Sequence, residues 1–217
     1  MPRGRRSRLG GVDDLADVGL FPLDLVLLPG ERVPLHLFEP RYRQLYADSV
    51  LDDRPFVVVQ TGVTGTADVG CSARFDELVR RFEDGRLNVV IAGLRPVALI
   101  EETEGRLYFS ALVRELDDEP SEPDPALIAE VLERFRALAG LADDAPPPEP
   151  PGDVPLSYAV AGAFDLPPGP KQELLVSRVE SARLRMVADI LSTAGREAQH
   201  ARMAAERSSG NGKVSTP

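Results

Sequence analysis

The run LFPLDLVLL (residues 20–28) sets Phe21, Leu23, Leu25 and Leu27 on one face and Val26 and Leu28 on the other. That pattern predicts a strand buried in part on both sides. Pro29-Gly30 then supplies the residue types a type II turn requires at its two central positions. RVPLHLF (32–38) resumes the alternation, with Val33, Leu35 and Leu37 opposed to Pro34, His36 and Phe38. Pro34 has no N–H to give to a ladder, so this second strand belongs at an edge.

At Glu39-Pro40 the period changes. Proline is favoured at the first helical position. Beyond it, Tyr42, Leu45, Tyr46 and Ser49 fall at helical spacing and define a buried face. Glu39 stands at the positive end of that helix.

Strand patterns then return. PFVVVQT (55–61) is a short buried strand, and GVTGTADVG (62–70) is a loop. CSARFDELVRRFEDGRLNVVIAG (71–93) reads as a hairpin turning at Asp84-Gly85. RPVALIEETEGRLYFSALVREL (95–116) reads as another, turning near Glu104-Gly105-Arg106. Six or seven strands at this spacing predict an antiparallel barrel or sandwich.

Near residue 119 the pattern becomes helical. EPSEPDP starts a helix in which Leu127, Ile128, Val131, Leu132, Phe135 and Leu138 form the apolar face, ending near Gly140. DDAPPPEPPGD (143–153) is a proline-rich loop. PLSYAVAGAF predicts a short helix. KQELLVSRVESARLRMVADILSTAG (171–195) predicts one continuous longer helix, with Leu175, Val179, Met186, Val187 and Ile190 inward. The expected organisation is a flexible leader over 1–17 and a β domain over 18–118. A helical subdomain follows over 119–195, with the proline-rich loop at 145–155, then a helix end and tail over 196–217. The fold class is α+β.

Composition narrows the function. The chain has 217 residues, 43% hydrophobic and 28% charged, as in an ordinary soluble globular protein. Its formal net charge of −10 disfavours phosphate backbones and anionic membranes, so nucleic acid and membrane partners are not expected. The basic residues are nearly all arginine, Lys171 and Lys213 being the exceptions, which fits a GC-rich bacterial gene. One cysteine, Cys71, allows no internal disulfide and reads as a small buried hydrophobe. The leader MPRGRRSRLGG lacks the apolar core of a secretory signal, and a cytoplasmic protein is expected.

No catalytic, cofactor or metal site is expected. LPPGPKQELL departs from a phosphate-binding loop: Pro170 removes an N–H, the second glycine is missing before Lys171, and Gln172 replaces the hydroxyl. His36 and His200 are the only histidines and sit in no metal-binding spacing. The Asp-Asp pairs fall in turns and linkers. There is no G-x-S-x-G elbow. A Ser–Lys pair would need Lys171 desolvated beside Ser177 or Ser181, and Lys171, opening a helix, is expected to be exposed. His36 shows no partner that would make it a base.

The opening run resembles the start of the N-terminal, substrate-binding domain of the ATP-dependent protease Lon. The resemblance rests on Pro22-Leu23, Leu28-Pro29-Gly30, Pro34-Leu35-His36 and Phe38-Glu39-Pro40-Arg41-Tyr42. Val69-Gly70, Asp84-Gly85-Arg86-Leu87 with Ala92-Gly93-Leu94-Arg95, and Lys171-Gln172 with Leu174-Leu175 and Arg183-Leu184 follow in order. It spans about residues 18–192. Pro96 departs from it where an aromatic often stands, and Cys71-Ser72 where Thr or Val is common.

This resemblance implies a PUA-like antiparallel β pseudo-barrel followed by a C-terminal helical bundle. It also implies binding of unfolded or exposed apolar polypeptide segments, or docking to a protease or chaperone. The ATPase and Ser–Lys protease modules of a complete Lon are absent from these residues, so no enzyme activity is expected. An open barrel edge and its helix would offer a groove, with Leu28, Leu35, His36, Phe38 and Tyr42 as candidates for its lining. Core packing is the competing role for each apolar one. An RNA-binding or small-ligand-binding PUA-like domain, and a protease-associated regulator, are the alternatives.

Overall fold

The computed structural model describes residues 15–62, 65–140 and 154–210, with side chains to residue 204. Most of the expected leader, most of the proline-rich loop and the last seven residues of the expected tail lie outside that range. The chain divides into two units, 1–118 with 164–178, and 119–163 with 179–217.

The first unit carries seven strands: β1 (Ala16–Leu23), β2 (Arg32–Leu37), β3 (Phe56–Gly62), β4 (Gly65–Thr66), β5 (Val69–Arg81), β6 (Leu87–Thr103) and β7 (Ser110–Glu115). Helix α1 (Pro40–Leu51) lies between β2 and β3, and helix α4 (Pro168–Val176) joins this unit from far along the sequence. The intervening helices are α2 (Pro125–Ala139) and α3 (Leu156–Ala161). The order β1-β7-β6-β5-β3 closes on itself, because β1 pairs β7 antiparallel on one side and β3 parallel on the other. β2 lies beside the first half of β6, on the edge that β7 covers further along.

Four register shifts coil the two longest strands. The inserted residues are Leu94, Asp76 and Val79 in the β5–β6 pair, and Ile100 in the β6–β7 pair. A bulge adds one unpaired residue and sharpens the local twist. It therefore also accounts for Val79, Leu94 and Ile100 standing among the exposed large hydrophobics. At the first bulge the Ser72 hydroxyl donates to the Arg95 carbonyl and accepts from the Arg95 amide, both at 3.1 Å.

Inside the barrel, Leu20, Val57, Val97, Ala111 and Val113 form one cluster. The α1 side of the core is aromatic: Tyr42 packs tilted against Phe21 at 4.2 Å, Phe56 stacks on Phe75 at 4.4 Å, and Tyr46 meets Phe75 edge-on at 4.9 Å. The turn at Pro29-Gly30 forms as expected, with Gly30 at φ 81° and the Glu31 amide donating to the Leu28 carbonyl at 3.1 Å. Gly93 is required beneath it, since a Cβ there would stand 2.2 Å from the Leu28 carbonyl oxygen.

Three expectations change. β1 begins at Ala16, within the expected leader, and ends at Leu23. Val26, Leu27 and Leu28 are buried without joining the sheet, because apolar alternation reports burial and not pairing. The single helix expected over 171–195 is two: α4 ends at Ser177, which is extended at ψ 130°, and α5 (Glu180–Gly210) starts afresh. Lys171 is buried, not exposed. Its ammonium meets Glu31 at 2.5 Å, while the Leu28 amide donates to the other Glu31 oxygen at 3.0 Å. The side chain of Gln172 donates to the Val69 carbonyl, so α4 is held to the barrel by two polar contacts over a buried Leu174-Leu175 face.

The second unit contains α2, α3 and α5. Asp124 caps α2 by accepting from the Ala126 amide, and Val131 and Phe135 are its buried residues. Glu180 opens α5, where the helix dipole favours a carboxylate. It accepts from both the amide and the hydroxyl of Ser157. Arg183, fully buried, pairs with Glu180 at 2.7 Å and lies over the Tyr158 ring. This cluster binds α3 to α5.

Candidate functional site

Among the described residues β2 pairs with β6 alone and is an edge strand. The Gly93 amide donates to the Glu31 carbonyl. By antiparallel alternation the backbones of Val33, Leu35 and Leu37 then face β6, and those of Arg32, Pro34 and His36 face the open side. Pro34 thus removes one donor from the open edge, a recognised way to blunt self-pairing.

An aromatic shelf stands at the end of this strand. His36 Nδ1 lies 2.6 Å from Asn88 Oδ1, directly across the register. The imidazole stacks on Phe38 at 6.1 Å and meets Phe82 edge-on at 5.8 Å. Phe38 is 61% exposed. The guanidinium groups of Arg80 and Arg86 lie 4.6 and 5.2 Å from the Phe82 ring centre. Arg86 is tied to Asp84 at 2.6 Å, and its hydrogen bonds hold the Asp84 carboxyl below the usual carboxylate range. Towards the other end of β2, the bulged Asp76 accepts from Arg74 and pairs with Arg32, each at 2.8 Å; the Arg74 hydrogen bond, ahead of Arg32, lowers its pKa.

The five candidates therefore separate. His36 and Phe38 share the exposed shelf. Leu35 is half-buried on the opposite face of β2. Leu28 is fully buried under the turn, and Tyr42 is buried against Phe21, so neither lines a surface groove. Both have apolar area that the barrel interior takes up first. Phe82, Asn88 and Arg80 belong to the shelf and were missed. Arg80 lies in β5, where the bulges at Asp76 and Val79 shift which face each residue occupies, while Phe82 follows β5 and Asn88 lies across from His36 in β6.

Next to the shelf, α1 and the β5–β6 hairpin enclose a groove of about 610 Å³. Its lining includes Pro40, Ala47, Val50 and Leu87, with Arg43 and Arg81 as its charged members. A second cavity, of about 710 Å³, lies between the start of β1, α1 and the β6–β7 turn. Its polar groups engage one another: Tyr108 donates to Asp48 at 2.9 Å, and Arg106 pairs with Asp17 at 2.9 Å. Burial raises the Tyr108 pKa. Cys71 is buried, and burial pushes its thiol up to about 12, so it is no nucleophile at neutral pH. Among the described residues, no three His, Cys, Asp or Glu side chains are grouped to hold a metal ion, and no helix is long and apolar enough to cross a membrane.

A family model described as the substrate-binding domain of ATP-dependent protease La (LON) matches residues 17–193. No curated protein matches the sequence. Two solved structures share the fold. A Lon N-terminal domain protein from Xanthomonas campestris is 24% identical, with a TM-score of 0.63 over 79% of this chain and 96% of that one. The N-terminal domain of the Mycobacterium avium complex Lon protease is 19% identical, with a TM-score of 0.60 over 82% of this chain and 98% of that one.

Proposed function

Since the chain belongs to the Lon substrate-binding domain family, we propose that it is a non-catalytic module that binds unfolded or exposed apolar polypeptide segments. The observation that carries this reading is the His36–Phe38–Phe82 shelf beside an unpaired strand edge. Aromatic side chains supply large contact area at little entropic cost, and the exposure of His36 and Phe38 leaves that area open to a partner. An edge strand adds backbone hydrogen bonds that any extended sequence satisfies, which suits a binder of varied polypeptides. The same surface would serve for docking to a protease or chaperone.

The test uses a permanently unfolded probe, a reduced and alkylated model protein, titrated with the whole chain. Saturable binding that weakens in Phe38→Ser and Phe82→Ser supports the reading. Absence of binding, or binding indifferent to both changes, refutes it. ATP and casein hydrolysis by the same preparation would contradict the non-catalytic part.

A further inference from the structure

The groove between α1 and the β5–β6 hairpin has its own chemistry. Its α1 wall carries Ala47, Val50 and Leu51, and Val50 and Leu51 are 54% and 83% exposed. Pro40 contributes further apolar surface. The charged residues that line it are two arginines, Arg43 and Arg81, and no carboxylate lines it. Arg43 is held by donating to the Asp84 carbonyl at 3.2 Å, over Gly85, where a Cβ would stand 2.5 Å from its guanidinium. Its Nε is buried with no hydrogen-bond partner. Among the described residues, neither arginine has a carboxylate partner. In a protein of net charge −10, two cations without a carboxylate partner in one groove, beside Gln44 and Tyr46, are a local reversal of sign.

We propose that this groove takes an apolar polypeptide segment carrying an internal acidic side chain, whose carboxylate is met by Arg43 and Arg81. The proposal rests on the polypeptide-binding reading and narrows its partner. A guanidinium favours a planar carboxylate, and the apolar wall of Ala47, Val50 and Leu51 favours flanking aliphatic side chains. Charge complementarity of this kind selects among partners more than it raises overall affinity. Aliphatic segments with no acid, and segments with a basic residue at that position, bind less well.

The probes are fluorescein-labelled, N-acetylated and C-amidated aliphatic nonapeptides with a central Glu, Gln or Lys, read by anisotropy with the full chain. The Glu peptide is expected to bind roughly fivefold tighter than the Gln peptide, the advantage shrinking in high salt. Arg43→Gln with Arg81→Gln brings the Glu and Gln peptides to equal affinity. Val50→Glu, at an exposed position of the groove's α1 wall, places a carboxylate there and lowers binding of the Glu peptide more than of the Gln peptide. Equal affinities for Glu and Gln peptides overturn the proposal, as does a preference that survives both arginine changes. A Gln peptide with a free C-terminal acid that matches the Glu peptide also overturns it, by assigning the site to chain ends. If the unfolded model protein binds but no acid preference appears, only this inference falls. If neither the model protein nor any peptide binds, the polypeptide-binding reading falls with it.

Discussion

Lys171 and Glu31 lie 140 positions apart and meet at 2.5 Å, with side chains 10% and 12% exposed. This pair fastens α4 to the turn that separates β1 from β2. Glu31 is doubly engaged, since it also accepts from the Leu28 amide.

Removing one partner of a largely buried pair strands the other. Lys171→Met is expected to cost about 3 kcal/mol in urea unfolding, and pairing it with Glu31→Gln is expected to recover part of that loss. A double-mutant cycle showing no coupling would mean that α4 is held by its apolar face alone.

Phe38 and Phe82 are expected to separate binding from stability. Because Phe38 is 61% exposed, Phe38→Ser should change the unfolding free energy by no more than about 0.5 kcal/mol. The same substitution should weaken the unfolded probe roughly tenfold, as loss of an aromatic anchor does.

Gly93 admits no side chain. Its Cβ would meet the Leu28 carbonyl oxygen at 2.2 Å, a backbone atom fixed by the Gly30 turn. Gly93→Ala is expected to destabilise by about 2 kcal/mol or more, measured by thermal unfolding. Gly105→Ala, where nothing lies within 4 Å of the added carbon but φ is 99°, should cost less, about 1 kcal/mol.

Cys71 makes stability depend on alkaline pH. Burial raises its pKa from an ordinary 9.0 to about 12, so the folded state holds the proton that the unfolded state releases. The contribution is therefore fully present below pH 9 and is lost as pH rises from there towards 12. At pH 10 the loss attributable to this thiol is about 1 kcal/mol. Cys71→Ala should flatten that part of the profile. In the native protein the thiol should resist alkylation at pH 8 and react only on unfolding.

Local signals were legible where the chemistry is local. Gly30 turns the chain with a positive φ, Asp84-Gly85 turns the hairpin, Pro40 starts α1, and Asp124-Pro125 starts α2. The edge position of β2 could be read from Pro34, because a missing N–H is a property of one residue. The helix break at Ser177 could not, since 171–195 keeps its helical period on both sides. At the break Ser177 turns extended, and Glu180 opens α5, accepting from Ser157 and pairing with Arg183.

The candidate surface divides in the same way. The sequence by itself determined the strands, the turns, α1 and the aromatic and apolar residues available to a partner. Tertiary structure alone decided that Leu28 and Tyr42 go inward, that Phe82 joins His36 and Phe38, and that Lys171 is buried on Glu31. Strand pairing and bulges set those outcomes. Each bulge reverses the in-out alternation of one strand against its neighbour, and the barrel closes through contacts between residues far apart in the chain. A one-dimensional pattern of polarity records which residues prefer burial, and the register of the closed sheet decides which of them obtain it.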